Sequence, residues 1–367
     1  MEGWLLVLAA VALDRLVGDP RRWLHPVVVM GWWITRLRRW VEAWAGDVPW
    51  RLRLGGGLIT VALVGGSGLA GWGLERWALA GLSAGGWWAG GGLVLLTVAL
   101  ASALAGRSLE QAVLEVLQLL PPAGTAASAL PRADPLEPAR RQLAWIVGRD
   151  TEHLDRAGIL RALAETASEN GVDGQLAPLF WMLVGAALWS GPGNPAGGLA
   201  LPGPLALAWS FKAASTLDSM LGYRTGRLRW LGTAGARLDD LLVWLPCRLT
   251  AATLPLVAGR PWRAVAVLRA ALWDGRSDPS PNAGVSQAAY AWLLGVRLGG
   301  LNHYGGQPRP KPLLAGHGRP ADAAAVRGML VLTARLSWLW LAAAWLVAAW
   351  LVAEVAARVV FITKTLS

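Results

Sequence analysis

Apolar positions along this 367-residue chain gather into long uninterrupted runs rather than the short alternations of half-buried strands. Leu54–Leu74 and Trp87–Ala105 each supply about 20 uncharged residues, the length a spanning helix needs. The short link Glu75–Gly86 makes the two a helical hairpin. Gly55, Gly56, Gly57, Gly65, Gly66 and Gly68 bare the surface of the first helix and predict close helix–helix approach. A third zone, Leu176–Ser210, is broken by Gly191-Pro192-Gly193-Asn194-Pro195 and by Pro202 and Pro204. It reads as two short helices, a hairpin or a re-entrant pair. A fourth, Leu241–Val257, carries Pro246 and Arg248 near its middle. A charge at bilayer depth is costly, so that segment is expected to be tilted, interfacial or buried in protein. Leu330–Val355 predicts a last spanning helix, with Arg335 near its start. Strand signals are nearly absent and no internal repeat is found. The expected fold is all-α: one domain over residues 1–367, a multi-pass integral membrane helical bundle with interrupted or re-entrant helices and a cytoplasmic polar cap.

Charge sets the expected orientation. Arg36, Arg38, Arg39, Arg51 and Arg53 precede the first long run and Arg107 follows the second, so both ends face the cytoplasm by the positive-inside rule. That places residues 107–175, a soluble-looking section with an amphipathic helix at Ser108–Leu120 and a Pro/Ala-rich loop at Pro121–Pro138, on the cytoplasmic side of the cell membrane. The start, MEGWLLVLAAVALDRL, lacks a basic n-region and a cleavage site, which favours a retained helix over a removed leader.

Composition agrees with a membrane protein. The chain is 54% hydrophobic and only 16% charged, against about 25% charge in soluble domains. Its 24 Trp outnumber 3 Tyr and 3 Phe, and Trp4, Trp72, Trp77, Trp87 and Trp338 sit where apolar runs begin or end, as interface anchors do. The net charge of +11 is carried almost wholly by Arg, with Lys only at Lys212, Lys311 and Lys364. It suits anionic lipid and anionic substrates; nucleic acid is disfavoured because no basic helix is interleaved with stacking aromatics. The lone Cys247 excludes an intrachain disulfide and a Cys-based metal cluster, and reads as a buried packing residue.

Against this apolar background, GRDTEHLDRAGILRALAETASENGVDGQLAPLFW at Gly148–Trp181 concentrates ionisable side chains. On a helix Glu165, Glu169 and Asp173 fall at i, i+4 and i+8 and line one face, with Arg161 a turn before and Asn170 alongside. Such a stripe is either a solvated helix face or a site for Mg²⁺ and phosphate. Other polar clusters sit at ends of apolar segments. Asp14 and Asp19 precede His25-Pro26, where a helix start would leave N–H groups for an anion. Lys212, Ser215, Thr216 and Asp218 could hold a phosphate and its Mg²⁺, or Lys212 could simply snorkel. Asp239-Asp240 could bind Mg²⁺ or cap a helix. Ser277–Gly284, with Ser280 and Asn282, is a rigid Pro-bearing loop, and Leu298–Gly306 a second loop.

Together these segments resemble the adenosylcobinamide-phosphate synthase family (CobD/CbiB) of cobalamin biosynthesis. The resemblance rests on D-x-x-x-G-D-P…H-P-V at Asp14–Val27, G-R-D-T at Gly148–Thr151 and E-x-x-x-E-N-x-x-D-G…A-P-L-F at Glu165–Phe180. It continues with T-L-D-S-M-x-G-Y at Thr216–Tyr223, P-S-P-N-A-G at Pro279–Gly284 and L-G-G-x-N at Leu298–Asn302. Ser215 stands where the family usually has Asn, Val285-Ser286-Gln287 where Trp-Pro-Glu is usual, and His303 where Tyr is usual. The family implies a multi-pass membrane enzyme that joins the propionate carboxylate of adenosylcobyric acid to (R)-1-amino-2-propanol O-phosphate, or a related amino alcohol. ATP is the cosubstrate, Mg²⁺ the cofactor and adenosylcobinamide phosphate the product. Carried onto this chain, the resemblance implies Glu165, Glu169, Asp173 and Lys212 as catalytic residues. Asp14, Asp19, His25, Arg149, Asp150, Asn170, Thr216, Ser280 and Asn282 would bind substrate, and Glu169, Asp173 and Asp218 the metal. It leaves room for a homo-oligomer and for association with other late cobalamin-pathway enzymes. The competing readings are a membrane transferase using Mg-diphosphate chemistry and a non-catalytic membrane sensor or transporter.

Overall fold

In the computed structural model, which describes residues 2–19, 25–84, 87–122, 134–190 and 201–365, the apolar runs form helices, several of which extend beyond the run itself. The helices are α1 (Glu2–Val17), α2 (Pro26–Ala45), α3 (Pro49–Ala84), α4 (Trp87–Ala101), α5 (Gly106–Leu119), α6 (Glu137–Leu143), α7 (Arg156–Gly171), α8 (Ala177–Ser190), α9 (Pro204–Leu221), α10 (Leu228–Leu231), α11 (Thr233–Val257), α12 (Ala264–Gly275), α13 (Ala283–Leu294) and α14 (Ala323–Thr365). Among the described residues four helices are long and apolar enough to cross a membrane, or five if the pair α4–α5, bent by 45°, is one span. The chain is a multi-pass helical membrane protein.

The hairpin expected from Leu54–Leu74 is present, but its first arm runs for 36 residues and takes in the segment read as a link. Two contacts absorb the charges that suggested a boundary there. Both carboxylate oxygens of Glu75 accept N–H bonds from the start of α9: Gly203 at 2.9 Å, Leu205 at 2.6 Å and Ala206 at 3.2 Å. The Arg76 guanidinium lies 4.8 Å from the Trp72 ring. A helix beginning inside the molecule has orphan N–H groups that water cannot reach, and Glu75 supplies the missing acceptors. Glycine permits the close packing in places: a Cβ on Gly56 would sit 1.9 Å from Leu231 O, whereas Gly57, Gly65 and Gly66 face open space.

The second expected span stops at Ala101, bends, and continues as the amphipathic α5. The third zone is two helices, α8 and α9, as expected; the Gly191–Pro195 break lies outside the described residues, as do Pro20 and most of the Pro121–Pro138 loop. Arg248 in α11 is solvated by protein carbonyls: it donates to Trp244 O at 3.0 Å, Asn282 Oδ1 at 2.7 Å and Pro281 O at 3.0 Å. Among the tryptophans, Trp77 and Trp338 are exposed as interface anchors should be, but Trp4 is buried and donates to Ser190 Oγ at 3.0 Å.

The near-absence of strands is corrected. β1 (Val296–Tyr304) pairs antiparallel with β2 (Gln307–Leu314) and, briefly, parallel with β3 (Arg319–Pro320), in the order β2-β1-β3. The segment read as a second loop is therefore β1 and its turn, with Gly305 and Gly306 at φ 58° and 75° as a two-residue hairpin demands. β2 escaped notice because Pro308, Pro310 and Pro312 alternate along it, a pattern tolerated only on an edge strand.

Three hydrophobic cores divide the molecule. The largest joins α5, α6, α7, α12, α13, the sheet and parts of α11 and α14. A second joins α1, α4, α8 and the first half of α9, and a third joins α2, α3, α10 and the second half of α9.

Candidate functional site

α7 begins at an Asp155 N-cap, whose side chain accepts from Gly158 N at 2.7 Å, and passes into α8 through a π-helical turn at Val172–Leu176. Such turns are rare and frequent at functional sites, because the wider ring re-aims one side chain. Here it carries Asp173, so the three-carboxylate stripe read from ideal helical spacing is split by a change of helix type.

The lower end of that stripe is saturated. Glu165 is fully buried; Oε2 accepts from Arg149 Nη2, and Oε1 accepts from Gly299 N at 2.8 Å. Arg149 also donates to Asn302 Oδ1 at 2.8 Å. Arg161 holds the same strand, donating to Gly299 O at 2.7 Å and Leu301 O at 2.8 Å. Asp150 fills the hairpin turn, accepting from Gly305 N at 2.9 Å and Gly306 N at 2.7 Å, and these N–H groups hold its carboxyl below the usual range. Glu165, Arg149 and Asp150 are thus joined to one another through β1 and its turn.

One turn on, the environment changes. Glu169 is half-buried and accepts from Gln287 Nε2 at 2.5 Å, with Lys311 and Asp278 in electrostatic range. Asp173, also half-buried, lies in range of Asp239, Glu169, Asp218 and Lys212. Lys212 in turn faces Asp19, Asp173, Asp14 and Asp239. Asp218 is pushed up to about 6, first by burial and then by the charges of Asp240 and Glu169. Lys311 is 3.6 Å from Asp278; burial disfavours its charge, but Glu169, Asp278 and Glu165 outweigh that and raise it. The result is a row of carboxylates served by two lysines, Lys212 beside Asp173 and Asp239 and Lys311 beside Glu169 and Asp278.

Two flanks close this row. On one, Asp19 Oδ1 lies 3.2 Å from His25 Nε2 and Oδ2 accepts from Ser108 Oγ at 3.0 Å. α2 starts at Pro26 as expected, but its first N–H groups are partly satisfied, Val27 N donating to His25 Nδ1 at 3.3 Å. Asp14 is buried, its carboxylate turned toward the backbone N–H groups of Gly106 and Arg107 at the start of α5 and short of a well-formed hydrogen bond. On the other flank, Ser280 Oγ donates to Asp240 Oδ1 at 3.2 Å and Asn282 Nδ2 to Asp240 O at 2.7 Å. Asp239-Asp240 lies well inside α11, which begins at Thr233, so the pair does not cap that helix. Cys247 is buried as expected and donates to Asn282 O at 3.3 Å.

The site residues thus divide. Glu169, Asp173, Lys212, Asp218, Asp14, Asp19, His25, Ser280 and Asn282 come together. Thr216 turns its hydroxyl back to Lys212 O at 2.7 Å, and Asn170 is exposed without a hydrogen bond. Lys311, Asp278 and Ser108 are members that reading the sequence missed. The one available signal for Lys311 was rarity: two of only three lysines in an arginine-rich chain sit in this cluster. Among the described residues no three His, Cys, Asp or Glu side chains form a ready-made metal cage, Glu169, Asp173 and Asp218 included.

The family model described as CobD/Cbib protein matches residues 7–333. The chain belongs to the CobD/CbiB family. It is 37% identical to the cobalamin biosynthesis protein CobD of Synechocystis sp. over 336 residues, covering 92% of this chain and 89% of that one. It is 39% identical to the CobD protein of Geobacter metallireducens over 346 residues, 90% and 92% of the two chains. With the cobalamin biosynthesis protein CbiB of Salmonella typhimurium the figures are 38% over 308 residues, 83% and 84%. No solved structure matches. The CobD/CbiB match spans every cluster described above, from Asp14 to Lys311.

Proposed function

We propose that this chain acts in cobalamin biosynthesis as an ATP-dependent ligase, joining a corrinoid carboxylate to an amino-alcohol phosphate. The relatives' names supply the pathway. The observation that carries the chemistry is the row of half-buried carboxylates, Glu169, Asp173, Asp218 and Asp239, served by Lys212 and Lys311. A carboxylate does not react with an amine until one oxygen becomes a leaving group. In this reading a corrinoid carboxylate oxygen attacks the γ-phosphorus of ATP and ADP departs. The amine then loses a proton, attacks the acyl carbon and expels phosphate.

Lys212 and Lys311 bind phosphate oxygens, as compact cations do. Glu169 or Asp173 takes the ammonium proton, a role in which one positioned base contributes about 10²–10⁴-fold. Asp19 and His25, steadied by Ser108, line the substrate approach, and Asn282, fixed by Arg248 and Asp240, orients a substrate carbonyl. The residues fit Mg²⁺, which commonly takes one or two carboxylates and otherwise phosphate and water. Asp239 Oδ1 is buried without a donor, close to Asp173 and Asp218, and one or two of these carboxylates would hold the ion, with nucleotide phosphate and water completing its shell. When bound, Mg²⁺ supplies charge neutralisation for the nucleotide phosphates. Glu165, Arg149 and Asp150 maintain the frame rather than touch substrate.

The test is direct. The purified full chain is incubated with cobyric acid, aminopropanol phosphate, ATP and Mg²⁺, and the mixture is analysed for the amide by mass spectrometry and for ADP. Amide formed in step with ADP supports the ligase. Turnover of an isoprenyl diphosphate instead, or neither product, overturns it.

A further inference from the structure

We propose that the outer face of α2 and the middle of α3 form a binding site for one anionic phospholipid, its acyl chain between the helices and its phosphate on Arg36. The site borders the flank of the candidate site at Pro26, the residue after His25, but includes none of the carboxylate row and does not rest on the ligase reading.

Three observations carry it. First, a cavity of about 590 Å³ lies between α2, α3 and α9, with Met30, Trp33, Leu37, Ala62, Gly66 and Trp209 among its walls. Its α3 wall falls in the middle of Pro49–Gly81, a stretch apolar enough to span a bilayer, so hydrocarbon and not water is the medium at its mouth. The cavity is a half-open groove with an almost wholly apolar lining, the shape and surface an acyl chain fills. Second, the charge beside it is unspent. Arg36 is exposed, stands one helical turn from Trp33 and next to Leu37, and has no carboxylate partner among the described residues. Arg38, by contrast, donates to Glu42 at 2.8 Å.

Third, Arg36 is flanked by two indoles. Its guanidinium carbon lies 5.7 Å from the Trp32 ring centroid and 5.5 Å from that of Trp40. Stacking engages the faces of a guanidinium and leaves its N–H edge free, and that edge matches a phosphate bidentately. The motif continues around the hairpin, with Arg51 over Trp44 and Trp50 at 5.9 and 5.4 Å and Arg53 over Trp230 at 4.4 Å. Exposed indoles and arginines at this density belong to the headgroup layer. Charge complementarity selects an anionic headgroup, because a zwitterionic lipid brings its own cation to the same phosphate.

The experiment uses the delipidated full chain in detergent, with native mass spectrometry after addition of phosphatidylglycerol, phosphatidylcholine or inorganic phosphate. Wild type should retain one phosphatidylglycerol about tenfold more tightly than phosphatidylcholine, and no inorganic phosphate. Arg36→Gln should lose that preference. Gly66→Leu fills the cavity from a position whose Cβ meets open space, so it should remove tight lipid retention while leaving lipid-free thermal stability at or above wild type. Equal retention of the two lipids by wild type overturns the proposal, as does phosphatidylglycerol binding undiminished in both variants. Inorganic phosphate held in an Arg36-dependent way would reveal a bare anion site and overturn it as well.

Discussion

Glu165 and Glu169 are the same residue type, one turn apart on one helix, yet they occupy opposite chemical situations. Glu165 has both oxygens committed, to Arg149 and to Gly299 N, and is sealed from solvent. Glu169 has one neutral donor, Gln287, and looks toward Lys311 and further carboxylates in a half-open space. Saturation, not residue identity or spacing, separates a carboxylate that builds from one that can react. A buried charge with every lone pair occupied stabilises the fold around it, whereas one left short of partners has capacity for a proton, a cation or a phosphate-bound metal.

The largest effect should come from breaking the saturated turn. Glu165→Ala leaves Arg149 buried and unpaired, which costs about 3–5 kcal/mol. We expect poor yield and a clearly lowered melting temperature for the detergent-purified protein. A variant that melted like wild type and lost only activity would erase the contrast between the turns. Next, Glu169→Gln and Asp173→Asn should keep the wild-type melting temperature while amide formation falls about 10²–10⁴-fold in a steady-state assay. Lys311→Met should act on binding, raising KM for the amino-alcohol phosphate about tenfold with little change in kcat. The smallest effect concerns pH. Burial and neighbouring charge move Asp218 from an ordinary value of 3.8 to about 6, so between these values the folded chain binds more protons than the unfolded one. Stability should therefore rise modestly as pH falls from 7 toward 4, while ligase activity declines through about 6. Asp218→Asn should flatten the stability slope, and an unchanged slope would assign it to another group.

How far the sequence revealed this arrangement depended on whether the signal was local. Leu54–Leu74 was legible as a spanning helix because hydropathy is summed over neighbours. Its true end was not, because Glu75 and Arg76 look like a boundary unless one knows that the start of α9 and Trp72 receive them. Family motifs singled out Glu169, Asp173 and Asp218, and a lone lysine at an apolar boundary singled out Lys212, yet nothing local distinguished them from Glu165, whose oxygens are satisfied by an arginine before the helix and by a strand amide far along the chain. The β1–β2 hairpin was hidden by Gly299, Gly300 and the alternating prolines, and Lys311 with it. A strand defined by its partner rather than its own preferences leaves little trace in composition.

The Glu75 clamp has a consequence for biogenesis. The carboxylate precedes Gly203 by 128 residues, so it is already synthesised when the first turn of α9 emerges and needs acceptors for its N–H groups. Membrane insertion thereby acquires an order: the α3 arm must be seated before the helix carrying Lys212 can dock. A ribosome-stalling series that measures protease protection of α9 should show that Glu75→Ala delays docking of that helix without disturbing entry of the first hairpin.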